Sequence, residues 1–132
     1  MKKILLVAII LVMSSMVFGQ KATKLQVVYF HAKYRCATCT SIEANTRKTL
    51  ETYFASQVKN GTIKFQVLDV SDSKNEKIVE KYQADGSGLF LTQINGKKET
   101  NTDFTNFAFS YSRNQAEKFI AGLKAEIEKN LK

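Results

Sequence analysis

The 132-residue chain has no proline, no tryptophan, one histidine, two cysteines and six glycines. Without proline there is no proline-rich linker and no cis-prolyl turn, because a cis bond before any other residue costs about 3–4 kcal/mol. Two cysteines form at most one disulfide, so the fold must rest on a hydrophobic core, which one domain of this length can build without metals or several staples. Flavin and nicotinamide motifs are missing, so nothing supports a cofactor-dependent reductase acting alone. Internal repeats and low-complexity tracts are also absent.

What the chain does have is charge of one sign. Twenty lysines and arginines face twelve acidic residues, a formal net charge of +8. The lysines are scattered along helical patterns, which reads as a solvated surface. With no recognition motif present, nucleic acid is not expected as a partner.

Met1-Lys2-Lys3 is a positive start, Ile4 to Met13 is an unbroken apolar run, and Val17 and Gly19 stand where a signal peptidase reads. This pattern predicts a secretory signal peptide over residues 1–19, cut to leave a single domain over residues 20–132. The apolar run falls short of the ~20 residues of a membrane span, and no cysteine follows it to carry a lipid, so no stable membrane anchor is expected after cleavage. The expected location is exported, periplasmic or secreted, where a disulfide persists. Loss of Lys2 and Lys3 would lower the net charge by two.

Leu25 to Ala32 reads as a buried strand. A helical pattern follows from about Cys36 to Val58, with Ile42, Leu50, Tyr53, Phe54 and Val58 as its apolar residues, and Asn60-Gly61 stops it. Thr62 to Val70 is a second strand, buried on both faces toward its end. Asp72 or Ser73 caps a helix carrying Ile78, Val79 and Tyr82. Leu89 to Ile94 and Lys97 to Thr102 form a hairpin around Asn95-Gly96. Asp103 caps a short helix, for which a strand through Phe107, Phe109 and Tyr111 is the alternative. The aromatics Phe104, Phe107, Phe109 and Tyr111 are expected in the core. Asn114 caps a last helix with the stripe Phe119, Ile120, Leu123, Ile127 and Leu131. The order β-α-β-α-β-β-α, with one extra short helix, predicts an α/β fold: a central mixed four-stranded sheet with helices on both faces.

Both cysteines, Cys36-Ala-Thr-Cys39, fall where the first strand gives way to the first helix. Free N–H groups at a helix start stabilise a thiolate, and the spacing permits a short-loop disulfide. Such a disulfide closes too small a loop to stabilise a fold appreciably, so its placement points to dithiol–disulfide exchange. The element order with this motif resembles the thioredoxin fold over essentially the whole of residues 20–132. The stretch Tyr82-Gln-Ala-Asp-Gly-Ser-Gly-Leu-Phe-Leu-Thr-Gln-Ile-Asn-Gly96 is similar to the thioredoxin segment from helix end to the Asn-Gly turn. The pattern His31, Arg35, Cys36, Thr38, Cys39 resembles a small exported thioredoxin-like family labelled nitrophenyl compound nitroreductase subunit. Three departures stand out. Gly88 occupies the place of the thioredoxin cis-proline, so a trans bond and a more open facing loop are expected. Val28 or Tyr29 stands where thioredoxin has a buried acid serving as proton relay. Tyr34-Arg35 replaces the residues that precede the thioredoxin dithiol.

Cys36, exposed at the helix start beside Arg35 and Lys33, is the expected nucleophile, and Cys39 the resolving thiol; the alternative is a pair of inert thiols or a permanently closed disulfide. His31 is a candidate to tune the thiolate, to relay protons, or to join Cys36 and Cys39 as a third ligand for copper or zinc. Its alternative is a strand-end histidine bonded to a loop carbonyl. Arg35 either pins a partner's carboxylate or is solvated. Thr38 either bonds a sulfur or serves as plain helix-cap chemistry. Tyr34 is a candidate contact surface for a peptide or small aromatic, or only a loop anchor, and Gly86 and Gly88 either allow positive φ and close approach of a partner backbone in the facing loop or form an ordinary tight turn. The expected function is an exported thiol–disulfide oxidoreductase, monomeric, acting on protein or small-molecule thiols with no cofactor beyond its own disulfide. The alternatives are a copper-binding module using Cys36, Cys39 and His31, and a non-catalytic partner-binding subunit.

Overall fold

The computed structural model describes residues 19–132. The expected signal peptide therefore lies outside the described residues but for Gly19. Four strands, β1 (Leu25–His31), β2 (Ile63–Asp69), β3 (Gly88–Asn95) and β4 (Lys98–Asp103), form one sheet in the order β2-β1-β3-β4. β1 runs parallel to β2 and antiparallel to β3, and β3 pairs antiparallel with β4, so the sheet is mixed as expected. The helices are α1 (Ala37–Tyr53), α2 (Ala55–Lys59), α3 (Glu76–Tyr82), α4 (Thr105–Tyr111) and α5 (Ala116–Asn130), with a 3-10 turn over Ser73–Asn75.

The central strand β1 explains the layers. Successive side chains of a strand point to opposite faces, and β1 is apolar on both. Leu25, Val27 and Tyr29 join Ile42, Leu50 and Phe54 of the helical segment and Phe119, Leu123 and Ile127 of α5 in the larger core. Val28 and Phe30 pack on the other face with Tyr82 and Phe90, supported by Ile78 and Val79 of α3. The sheet is thus covered on both sides, and α1 and α5 lie together on the side of Tyr29.

The helix expected from Cys36 to Val58 is broken. Phe54 adopts φ −132° and ψ 21°, outside the helical region, and separates α1 from α2. No proline or glycine marks the break. Phe54 is buried in the core, and α2 turns from there onto β2. Tyr53 and Val58, expected to face inward, are instead exposed. The segment after β4 is a helix, and its 3.6-residue period carries Phe107 and Tyr111 to one side and Phe109 to the other. Phe107 packs against Phe104 and, edge to face, against Tyr111 at centroid distances of 4.6 and 4.8 Å, whereas Phe109 is exposed rather than in the core. Gly122 of α5 is required by this cluster, because a Cβ there would overlap the Phe107 ring. Gln115, not Asn114, occupies the N-cap of α5, without a side-chain bond. β2 is an edge strand and only half-buried along most of its length, short of the two-sided burial expected from its sequence.

Candidate dithiol site

The dithiol stands where β1 delivers the chain to α1. Cys36 is the N-cap of α1, with extended backbone at φ −78° and ψ 165°, and its Sγ accepts the Cys39 amide N–H at 3.1 Å. A helix start leaves its first N–H groups without intrahelical partners; here one of them is aimed at the sulfur. The two cysteines are joined in a disulfide with Cα atoms 5.0 Å apart. Cys36 is exposed and Cys39 is buried, with 6% of its surface accessible. This asymmetry follows from the helix: position 36 faces solvent at the end, and position 39, one turn in, faces the sheet.

Tyr29 forms the floor. It points from β1 to the helix side, fully buried, and its hydroxyl donates to the Cys39 carbonyl at 2.8 Å. Burial pushes the Tyr29 phenol above its ordinary pKa; Arg35 and the neighbouring Ser87 oppose the rise, and Glu43 adds to it. Tyr29 therefore stays a neutral donor at physiological pH. Ser87 precedes β3, so the loop between α3 and β3 does face the dithiol end. Among the described residues every peptide bond is trans, as expected at Gly88. Neither Gly86 nor Gly88 has positive φ, so the left-handed loop conformation expected for them is not adopted and the weighed alternative of an ordinary turn stands. Gly88 is buried in β3 opposite Phe30, and a Cβ there would sit 2.9 Å from the Phe90 ring and 3.0 Å from Thr105 Oγ1. What requires glycine at position 88 is packing, not a left-handed turn.

Arg35 is exposed at the surface, but its guanidinium is held in an ion pair within the chain. Its guanidinium donates to Glu43 Oε2 at 2.6 Å and lies 5.9 Å from the Tyr29 ring centroid. Arg47 donates to the other Glu43 oxygen at 2.9 Å. Burial pushes the Glu43 carboxyl up, but the bonds and charges of Arg47 and Arg35 together outweigh it and hold it below the usual carboxylate range. Sequence reasoning missed Glu43 as a site residue. The Glu43-x-x-x-Arg47 spacing was legible as a helical ion pair, but the reach of Arg35 across eight positions depends on how the loop folds back.

His31 stands at the end of β1 opposite Asp69 of β2, and its Nδ1 lies 3.0 Å from the Ala32 carbonyl oxygen. That is the strand-end arrangement weighed as its alternative. With the sulfurs joined, no group of three His, Cys, Asp or Glu side chains is placed to hold a metal among the described residues. Thr38 is half-buried, and the hydrogen bond to sulfur comes from the Cys39 amide rather than from its hydroxyl. Tyr34 projects into solvent with 86% of its surface exposed, and Lys33 Nζ is 6.0 Å from its ring centroid. An apolar groove of about 390 Å³ lies elsewhere, between α1, α2 and β2, lined by Leu50, Ala55, Val58 and Phe65; neither cysteine borders it.

The Tyr29 bond is open to test. Tyr29→Phe removes one donor while keeping the ring, and a buried hydrogen bond of this kind contributes about 1 kcal/mol. A fall in stability of that size by urea unfolding is expected, and an unchanged midpoint would show that the bond does not form in solution.

No protein-family profile matches the chain, and no curated protein matches it. Among solved structures, a malaria-parasite thioredoxin-2, described as a component of the parasite's protein secretion machinery, aligns at 22% identity and TM-score 0.50. That alignment covers 83% of this chain and 85% of the other. A thioredoxin from Thermus thermophilus aligns at 12% identity and TM-score 0.50, over 81% of this chain and 76% of its own. At these identities the likeness is one of fold, and the fold of the described residues is thioredoxin-like.

Proposed function

We propose, from a thioredoxin-like fold that carries a disulfide at the start of its first helix, that the protein is a thiol–disulfide oxidoreductase. The observation that carries this reading is the asymmetry of the pair: Cys36 exposed with an amide N–H on its sulfur, Cys39 buried one turn in. An exposed sulfur at a helix N-terminus favours the thiolate, which is the attacking species.

In the reducing direction the Cys36 thiolate attacks one sulfur of a partner's disulfide. A Cys36–partner bond forms, the partner's S–S bond breaks, and a partner thiolate leaves. Cys39 then loses its proton to solvent and attacks Cys36 Sγ, which releases the second partner thiolate and closes Cys36–Cys39. Two electrons pass to the partner, and the reverse sequence oxidises a dithiol. Partners are protein or small-molecule thiols and disulfides, reached by the monomer in an exported, periplasmic or secreted setting; export rests on the N-terminal sequence pattern alone. Tyr34, exposed beside the dithiol, is the contact residue for such a partner. The resemblance to the nitroreductase-subunit family, carried by His31, Arg35, Cys36, Thr38 and Cys39, names no substrate.

The test is the reduction potential of the pair, measured by equilibrating the protein in graded glutathione or dithiothreitol buffers. Dithiols that exchange span roughly −120 to −270 mV, and a value in that range is expected. A potential below about −300 mV marks a disulfide that resists reduction and would overturn the reading.

A further inference from the structure

We propose that Glu43 sets the redox poise of the Cys36–Cys39 pair by neutralising Arg35, acting as a positioning residue and not as a reacting one. The inference rests on the dithiol-exchange reading above.

An arginine next to the nucleophilic cysteine should lower its thiol pKa and make the disulfide a stronger oxidant. Here that arginine is engaged. Its guanidinium is fixed on Glu43 at 2.6 Å, and the second Glu43 oxygen holds Arg47 at 2.9 Å. The geometry follows from helix directions. Side chains on a helix lean toward its N-terminus, so a carboxylate rooted at position 43 lies over the preceding turn, the turn of Cys39. Cys39 and Glu43 are four residues apart and share one side of α1. Arg35 meets the carboxylate from the loop below, resting against the Tyr29 ring.

This is not a fully solvated surface pair. The Glu43 side chain is 20% exposed and that of Arg35 31%, so screening is weaker than for exposed ions. The charged and titratable groups around Glu43 are Arg35 from the loop, Arg47 from its own helix and Tyr29 from β1, whose phenol both Arg35 and Glu43 influence. Arg35 lies 5.9 Å from the Tyr29 ring centroid and the Tyr29 hydroxyl donates to the Cys39 carbonyl, so the ion pair and that carbonyl share one neighbourhood. Two guanidinium groups and one carboxylate leave a single net positive charge there. Removing Glu43 adds one unit of positive charge beside the first turn of α1, and removing Arg35 takes one away.

The experiment compares wild type, Glu43→Gln, Arg35→Gln, the double variant and Glu43→Asp, with folding checked by circular dichroism. Glu43→Gln is expected to speed iodoacetamide alkylation of Cys36 in the reduced protein at pH 6 by about three- to tenfold, the equivalent of half to one pKa unit. Its disulfide equilibrium with glutathione should shift by a similar factor toward the reduced protein. Arg35→Gln should move both quantities the other way. The double variant should return toward wild type, and Glu43→Asp, which keeps the charge, should stay near it. A role in holding the helix alone would not give effects of opposite sign. Shifts in one direction for both single variants, or no shift in either, would overturn the proposal. If the wild type itself fails to exchange with glutathione, the functional reading fails, while the alkylation rates of chemically reduced protein still decide the role of Glu43.

Discussion

Replacing Cys36 by serine is expected to abolish the proposed thiol–disulfide exchange, and replacing Cys39 by serine to stop it halfway. The first variant loses the sulfur that is both exposed and hydrogen-bonded by a helix N-terminal amide. Only the buried Cys39 thiol remains, and burial among apolar groups raises a thiol's pKa and removes it from reach. Turnover of a peptide disulfide should fall to the uncatalysed background. The second variant keeps the nucleophile and loses the resolving thiol, so it should collect a mixed disulfide through Cys36 when mixed with oxidised glutathione, visible as a mass increase. If both serine variants trap glutathione equally well, the two sulfurs are equivalent and the roles derived from the helix start are wrong.

The largest effect on stability is expected from Phe119→Ala. Phe119 is fully buried at the centre of the larger core, between α5 and the sheet, with the Phe107 ring centroid 6.5 Å away. Removing a buried phenylalanine ring costs about 3–5 kcal/mol. Whole domains are stable by only about 5–15 kcal/mol, so the variant should unfold at a much lower urea concentration or fail to fold. Phe109→Ala is the matched control. Phe109 sits on the outer side of α4 with 39% of its surface exposed, and its truncation should change stability by no more than about 0.5 kcal/mol. Comparable losses in the two variants would mean that the segment after β4 is a strand placing Phe107, Phe109 and Tyr111 on one face, not a helix.

These two aromatics mark the limit of sequence reading. The period-2 and period-3.6 patterns were strong enough to place all four strands, the mixed sheet and the helices on its two faces. They were strong because β1 is apolar at nearly every position and the stripe Phe119, Leu123, Ile127 recurs at helical spacing. The same patterns did not say that Tyr53, Val58 and Phe109 would remain outside. An aromatic or aliphatic residue is admitted to the core only where a facing element leaves volume for it, and that volume belongs to the packed whole. The break at Phe54 has the same origin. Its local sequence carries no stop signal, and the helix ends there because burying the Phe54 ring and laying α2 on β2 compete with continuing the hydrogen-bond ladder.

The site divides along the same line. That two cysteines would stand at a strand–helix junction, one exposed and one a turn inside, was determined by their spacing and the flanking patterns, since a helix start fixes both geometry and free N–H groups within four residues. Only the tertiary structure decided the rest. It placed the Tyr29 hydroxyl under the Cys39 carbonyl, gave Gly88 to packing against Phe90 and Thr105, and committed Arg35 to Glu43. Local pattern determines which backbone groups are free. Side chains from separate elements find their partners only when the core has set the distances between those elements.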